Sequence, residues 1–160
     1  MIIFICGAVN AGKSTVGKML AERMKAAFVE GDDVRNIFYW QTVEEARPAI
    51  VETIASIVRT LVKRKLPMVV AYPLWNEDFE PLKKYLAGVK VPMHFVALNP
   101  TLDVAVTNRG TRELKDWEIV FIKELYAKGV NNPSFATSVD NTNLSPEECV
   151  KTIEKLLKLK

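Results

Sequence analysis

Several residue types that define other protein classes are scarce in this chain of 160 residues. Its two cysteines, Cys6 and Cys149, are too few for a disulfide framework or a cysteine-rich zinc site, and they suit a reducing compartment. No apolar run reaches the ~18 residues that a membrane-spanning helix requires. The apolar start at residues 1–6 is too short for a signal peptide. We therefore expect a cytoplasmic protein without a membrane partner.

An excess of one charge is also lacking, because 22 basic residues face 19 acidic ones for a net charge of +3. This balance makes nucleic acid a possible partner but not a favoured one. No repeat, low-complexity tract or Ser/Gly-rich linker divides the chain. The length suits one domain, so we expect residues 1–160 to form a single domain that exists as a monomer or a homodimer.

Short apolar runs alternate with amphipathic stretches along the whole chain. The apolar runs predict five strands, at residues 2–6, 27–29, 68–72, 93–98 and 135–139. The stretches between them predict helices, at residues 14–25, 43–64, 77–86, 101 to about 109, 116–127 and from 145 onward. Pro48 marks a kink or a helix start. The alternation predicts an α/β domain with a parallel sheet covered by helices on both faces.

The most specific motif follows the first strand. Residues 7–14 match the pattern G-x-x-x-x-G-K-[ST] at every required position: Gly7, Ala8, Val9, Asn10, Ala11, Gly12, Lys13 and Ser14. Its backbone N–H groups and the following helix N-terminus favour phosphate. We expect Lys13 to contact the β- and γ-phosphates, Ser14 to bind Mg²⁺, and Thr15 to join the nucleotide site. A glycine turn that binds nothing is the alternative, and the flanking strand and helix disfavour it.

The segments after this loop bear on the reaction. The strand at 68–72 lacks the terminal Asp that holds Mg²⁺ in motor and switch ATPases, and no Asn-Lys-x-Asp guanine reader is present. The second strand instead leads into Glu30, Asp32, Asp33 and Arg35. A carboxylate there can take a proton from an attacking hydroxyl, and the fork of Arg35 suits an anionic acceptor. The alternative is that Asp32 or Asp33 caps a short helix.

Positive charge for phosphoryl transfer is expected from residues 109–112. Arg109 is the first candidate and Arg112 the second, on a polar lid at about 109–115. The alternative is a basic helix end favoured by the helix dipole. Trp40 and Tyr72 adjoin elements expected near the acceptor and are candidates for binding it, with ordinary packing as the alternative.

Three parts of the chain together resemble the small P-loop kinases: the phosphate loop at residues 7–14, the acidic segment at residues 30–35 and the arginine segment at residues 109–112. This group includes shikimate, gluconate and adenylylsulfate kinases and the kinase domain of phage polynucleotide kinase. The resemblance implies a three-layer P-loop fold with the sheet order 2-3-1-4-5. It also implies that Asp32 activates the acceptor and that Glu30 lies near the Mg²⁺ waters. Residues 139–144 look like the loop that borders adenine, which makes Asn141 a candidate for nucleotide binding.

The resemblance leaves the acceptor open, because the chain completes no single substrate family's pattern. The His of gluconate kinases and the Arg-Pro lid of shikimate kinases are both missing. The expected function is an ATP- and Mg²⁺-dependent kinase that phosphorylates a hydroxyl or oxyanion of a small molecule. Two alternatives stay open, a nucleic-acid 5′-hydroxyl kinase and a nucleotide-binding regulatory ATPase.

Overall fold

A computed structural model of the chain describes residues 1–108 and 113–159. Within them lie the strands β1 (Ile2–Cys6), β2 (Ala27–Glu30), β3 (Met68–Ala71), β4 (Met93–Leu98) and β5 (Thr137–Val139). The helices are α1 (Lys13–Met24), α2 (Gly31–Asn36), α3 (Val43–Lys63), α4 (Phe79–Tyr85), α5 (Leu102–Ala105), α6 (Asp116–Ala127) and α7 (Pro146–Leu157). None of the helices in these ranges is long and apolar enough to cross a membrane.

The five strands form one sheet in the order β2-β3-β1-β4-β5, and every paired strand is parallel to its neighbour. Ile2 of β1 lies opposite Met68 of β3 and Met93 of β4. All five residues of β1 are buried, as expected of a central strand covered on both faces. The predicted fold class and sheet order are confirmed.

Two apolar cores lie on the two faces of this sheet. One core joins α3 and α4 to the sheet through residues such as Ile50, Ile54 and Leu82, and the other joins α1 and α7 through Leu20 and Ile153. Two of these helices begin with reciprocal capping boxes, formed by Thr42 with Glu45 and by Ser145 with Glu148. Local caps and amphipathic patterns thus select the helices that cover the sheet.

Some predicted boundaries differ from the structure. Pro48 lies inside α3 rather than at its start. The helix expected from 101 to about 109 is limited to α5, where the Thr107 hydroxyl donates to the Val104 carbonyl and so competes with helical bonding. Strand β5 begins at Thr137 because Phe135 instead stacks on Phe79, with ring centroids 4.5 Å apart. The predicted lid residues 109–112 lie outside the described residues.

An ion pair between the partly buried Arg47 and the buried Asp78 joins α3 to the segment that follows β3. Nε of Arg47 lies 3.1 Å from Oδ1 of Asp78, and Oδ2 of Asp78 accepts a 2.8 Å hydrogen bond from the backbone N–H of Trp75. The Arg47 guanidinium also lies over the Trp75 ring, 4.1 Å from its centroid. Burial raises the pKa of Asp78, while the Trp75 N–H and Arg47 oppose that rise. The pair holds the N-terminal part of α3 against the segment that follows the carboxyl end of β3.

We expect Asp78→Ala to lower the free energy of unfolding by up to about 3–5 kcal/mol, because it leaves the partly buried Arg47 charge without its partner. Asp78→Asn keeps an acceptor for the Trp75 N–H and should cost less. Urea denaturation of both variants measures the difference. The exposed neighbour Glu77 provides the matched control, Glu77→Ala. Equal losses in Asp78→Ala and Glu77→Ala would contradict a stabilising role for the pair.

Candidate functional site

The phosphate-loop motif occupies the turn between β1 and α1. Gly7 has a φ of 127°, and a Cβ added there would lie 2.4 Å from the Leu98 carbonyl oxygen, so a glycine is required where the loop passes β4. Gly12 is the N-cap residue of α1 and makes no side-chain capping bond. The first turn of α1 carries no acidic residue, whereas each of the other six helices described here has one. The α1 N-terminus is therefore prepared for an anion.

The Lys13 side chain folds back across this loop. Its Nζ donates a 2.8 Å hydrogen bond to the Ala8 carbonyl. Ala8 and Ala11 of the loop itself are fully buried, and so is Cys6 at the end of β1. Burial raises the pKa of the Cys6 thiol to about 12, although Lys13 opposes the rise. The floor of the loop is therefore apolar and uncharged at neutral pH.

Two asparagine side chains join the phosphate loop to distant parts of the chain. One belongs to the loop and the other lies after β5. Nδ2 of Asn10 donates to the carbonyls of Ala105 and Thr107, at 2.8 and 2.9 Å. Nδ2 of Asn141 donates to the Ala11 carbonyl at 2.9 Å. Asn141 is 2% exposed, and its Oδ1 has no hydrogen-bond partner among the described residues. That oxygen is an acceptor available to a ligand.

A cavity of about 820 Å³ opens above the loop. Among its lining residues are Asp32 and six of the nucleotide residues predicted at 7–15: Val9, Asn10, Gly12, Lys13, Ser14 and Thr15. Asn141 lines the same cavity. The fold therefore brings together at one cavity the phosphate loop, Asp32 of the acidic segment, and Asn141 of the loop at residues 139–144.

The position of Asp32 depends on the glycine before it. A Cβ added at Gly31 would lie 2.3 Å from Cδ2 of Tyr72 and 2.7 Å from the Ala71 carbonyl oxygen. The junction of β2 and α2 therefore packs directly on the end of β3. Glu30 occupies the N-cap position of α2, and Asp32 and Asp33 lie in its first turn. Neither aspartate is the helix cap that the alternative interpretation proposed.

Within the phosphate loop, the predicted residues Gly7, Ala8 and Ala11 do not line this cavity. Outside the loop, four of the described residues predicted for the site do not line it either: Glu30, Arg35, Trp40 and Tyr72. The Arg35 guanidinium donates to the Phe38 and Gln41 carbonyls, both at 2.7 Å, and so fixes the turn after α2. Trp40 on that turn is 67% exposed. Tyr72 is buried, and burial raises the pKa of its phenol, with a smaller contribution from Asp78. The site roles of all four residues stay predictions.

Arg109 and Arg112 lie outside the described residues, so their roles also stay predictions. On the following helix, the sequence analysis missed a group of cavity residues, Trp117, Glu118 and Phe121. Glu118 accepts a 3.1 Å hydrogen bond from the Lys115 backbone N–H at the start of α6. The aromatic i, i+4 pair on α6 is the signal that indicates this face.

The protein groups suit a metal ion that is held mainly by the nucleotide. Residues 1–108 and 113–159 contain no cluster of three or more His, Cys, Asp or Glu side chains able to hold a metal. Mg²⁺ bound with phosphates keeps several waters and needs only one or two protein ligands. Ser14 lines the cavity, as does Lys13, and one serine hydroxyl fits this limited role.

We expect Gly31→Ala to lower the free energy of unfolding by about 1–3 kcal/mol, because the methyl group overlaps Tyr72 and the β3 backbone. Asp33 lies exposed in the same turn, so Asp33→Ala should stay within about 0.5 kcal/mol of the unchanged protein. Chemical denaturation measures both values. A Gly31→Ala protein as stable as the Asp33→Ala control would show that the close approach is not required.

Comparison with known proteins supports this arrangement at the level of the fold. A crystal structure of a gluconokinase from Sinorhizobium meliloti 1021 superposes with a TM-score of 0.73 at 21% identity, covering 98% of this chain and 91% of that one. The Mycobacterium tuberculosis APS kinase, solved with AMPPNP and APS, superposes with a TM-score of 0.65 at 19% identity, covering 98% and 96%. Both neighbours are kinases.

Sequence comparison is more limited, and no family model matches the chain. A shikimate kinase from Francisella tularensis subsp. novicida (strain U112) is 56% identical over 32 residues. That match spans 20% of this chain and 18% of the shikimate kinase. The structural superpositions, in contrast, cover nearly the whole chain, and they show that it has the fold of the small P-loop kinases that its sequence resembles.

Proposed function

We propose that the chain is an ATP-dependent kinase that transfers the γ-phosphate of ATP to a hydroxyl or oxyanion of a small molecule. One observation carries this proposal. A single cavity is lined by Lys13 and Ser14 of the phosphate loop and by Asp32. A phosphate site and a proton acceptor in one space are the parts that phosphoryl transfer to an alcohol requires.

On the nucleotide side, residues 7–14 would hold the triphosphate of ATP. The acid-free N-terminus of α1 favours its negative charge. Lys13 would exchange its hydrogen bond with the Ala8 carbonyl for the β- and γ-phosphates. When bound, Mg²⁺ neutralises charge on the phosphates, and Ser14 would hold it, with Glu30 acting through its waters. Asn141 would border the base.

On the acceptor side, Asp32 would accept the hydroxyl proton as the acceptor oxygen bonds to the γ-phosphorus and the bond to ADP breaks. Lys13, Arg109 and Arg112 would stabilise the negative charge on the transferring group. Arg35 and Trp40 follow Asp32 on the next segment of chain, and Tyr72 packs against Gly31, so we propose that all three shape the acceptor side.

The similar proteins support a small acceptor. Their names describe kinases of gluconate, shikimate and APS, and the APS kinase was solved with AMPPNP and APS. We propose the same class of acceptor here, handled by residues 1–160 as one domain, either as a monomer or as a homodimer. We also propose a cytoplasmic location, which suits two buried free thiols.

ATP consumption with Mg²⁺ against a panel of acceptors tests the proposal. The panel contains sugars, sugar acids, cyclic alcohols, nucleosides, nucleotides, adenylylsulfate and 5′-hydroxyl oligonucleotides. We expect Asp32→Asn to lower acceptor-dependent kcat by about 10²–10⁴-fold while ATP binding is retained, because only the proton acceptor is lost. Lys13→Ala should weaken both binding and turnover. Asp33→Asn, one residue away and outside the cavity lining, is the matched control.

The two alternatives predict different results in the same assay. Slow hydrolysis that needs no acceptor and survives Asp32→Asn would favour a regulatory ATPase and overturn the role of Asp32. Turnover with 5′-hydroxyl oligonucleotides alone, with binding that falls steeply as salt rises, would favour a nucleic-acid kinase.

A further inference from the structure

Two aromatic residues of α6 line the cavity, and the proposed transfer does not use either of them. Trp117 and Phe121 are four residues apart, so they share one face of the helix, which we call the aromatic face of α6. Trp117 is 63% exposed, and Phe121 is half-buried. An exposed tryptophan beside a cavity leaves a large apolar area that a ligand can cover. The aromatic face is therefore a candidate contact for one of the two substrates.

A different part of the cavity lies on the nucleotide side. Leu144 and Cys149 line the cavity together with Asn141. Both of them pack into the apolar core beneath α1 and α7. Asn141, for which we propose a place beside the base, donates to the Ala11 carbonyl of the phosphate loop. This wall therefore belongs to the sheet face that α1 and α7 cover.

The aromatic face of α6 is connected instead to α3, on the other face of the sheet. Phe121 packs against a small apolar cluster that contains Trp75. The Arg47 guanidinium of α3 lies 4.1 Å from the centroid of the Trp75 ring. Val43, one turn earlier on α3, lines the cavity. A series of contacts thus leads from Phe121 to the start of α3, which follows the segment that carries Asp32.

The lining residues on this side offer few polar groups. Val43 and Pro73 are apolar, and Asp32 supplies a carboxylate. Glu118 is buried and accepts a hydrogen bond from a backbone N–H at the start of α6. Among the lining residues that the structure describes, Lys13 of the phosphate loop is the only lysine or arginine. Sites of this composition bind a small molecule through its apolar surface and orient it with a few polar groups.

We infer that the aromatic face of α6 stacks on the acceptor, and that the acceptor is an alcohol built on a ring. The inference deepens the proposed function and rests on it. A flat ring covers an indole well, whereas an open-chain polyol or sugar acid has no flat apolar face. The ring is either a planar unsaturated ring or the C–H face of a cyclic sugar. Transfer is unchanged, because the acceptor oxygen still bonds to the γ-phosphorus, its proton passes to Asp32 and ADP leaves.

Steady-state kinetics with matched acceptors, ATP and Mg²⁺ tests this inference. Uridine, methyl glucoside and shikimate carry rings, and ribitol, sorbitol and gluconate are their open-chain counterparts. The proteins are the unchanged chain, Trp117→Ala, Trp117→Phe and the control Val120→Ala. Val120 is exposed on the same helix and does not line the cavity. Calorimetry measures ADP binding by each protein, and its melting temperature establishes that it folds.

We expect the ring-bearing member of at least one pair to have a kcat/KM about tenfold or more above its counterpart. For that acceptor, Trp117→Ala should raise KM about tenfold and leave kcat within about twofold, because stacking area is lost while Asp32 stays in place. Trp117→Phe should restore most of the affinity, and Val120→Ala should change neither constant. Preference for uridine indicates a planar ring, and preference for methyl glucoside indicates a cyclic sugar.

Other results would overturn the inference while the kinase proposal stands. Among them are equal or better use of the open-chain acceptors, and no turnover with any of the three ring-bearing ones. A Trp117→Ala protein that loses ADP affinity but keeps its acceptor KM would assign the indole to the nucleotide and have the same consequence. If the unchanged protein does not bind ADP, the proposed function fails together with the inference.

Discussion

The parallel pairing of β1 with a strand on each side is the constraint on which the rest of the site depends. Because β3 and β4 both run parallel to β1, the carboxyl ends of the strands meet at one edge of the sheet. The phosphate loop leaves the middle of that edge. Asp32 follows β2 and Asn141 follows β5, and each of these strands is two positions from β1 in the sheet. Residues from three distant parts of the sequence therefore line one cavity.

Acidic residues are distributed unevenly among the helix N-termini, and this difference favours anion binding at α1. Six of the described helices carry an acidic residue in their first turn, where it interacts favourably with the helix dipole. Helix α1 begins with Gly12 and Lys13 and has neither a capping side chain nor an acid. This N-terminus therefore favours an anionic ligand. The neutral Cys6 thiol beneath the loop adds no competing charge.

Features with a local cause were predictable from the sequence. The apolar runs of β1 and β4, the capping box at Ser145 and the phosphate-loop motif each depend on residues close together in the chain. The strand order came from the resemblance, because apolar runs do not reveal their neighbours. The cavity position of Asp32 agrees with its expected place beside the loop.

Features made by distant residues left no such trace. The pairing of Arg47 with Asp78 and the contact of Asn10 with the end of α5 join segments whose spacing follows no period. Arg35 shows the opposite difficulty. Its residue type suits an anionic ligand, yet its guanidinium finds backbone carbonyls within its own turn. The residue type determines which groups a side chain can bind, but the packing of the folded protein determines which partner it contacts.

The short strand β5 also affects how the folded protein behaves among its own copies. A sheet edge presents unpaired N–H and C=O groups that can recruit a strand from another molecule. Here one edge is only three residues long, and its exposed positions are the polar Thr137 and Ser138. An edge this short and hydrophilic is a poor template for strand addition. Beside the loop that carries Asn141, the sheet therefore ends in a strand that resists aggregation.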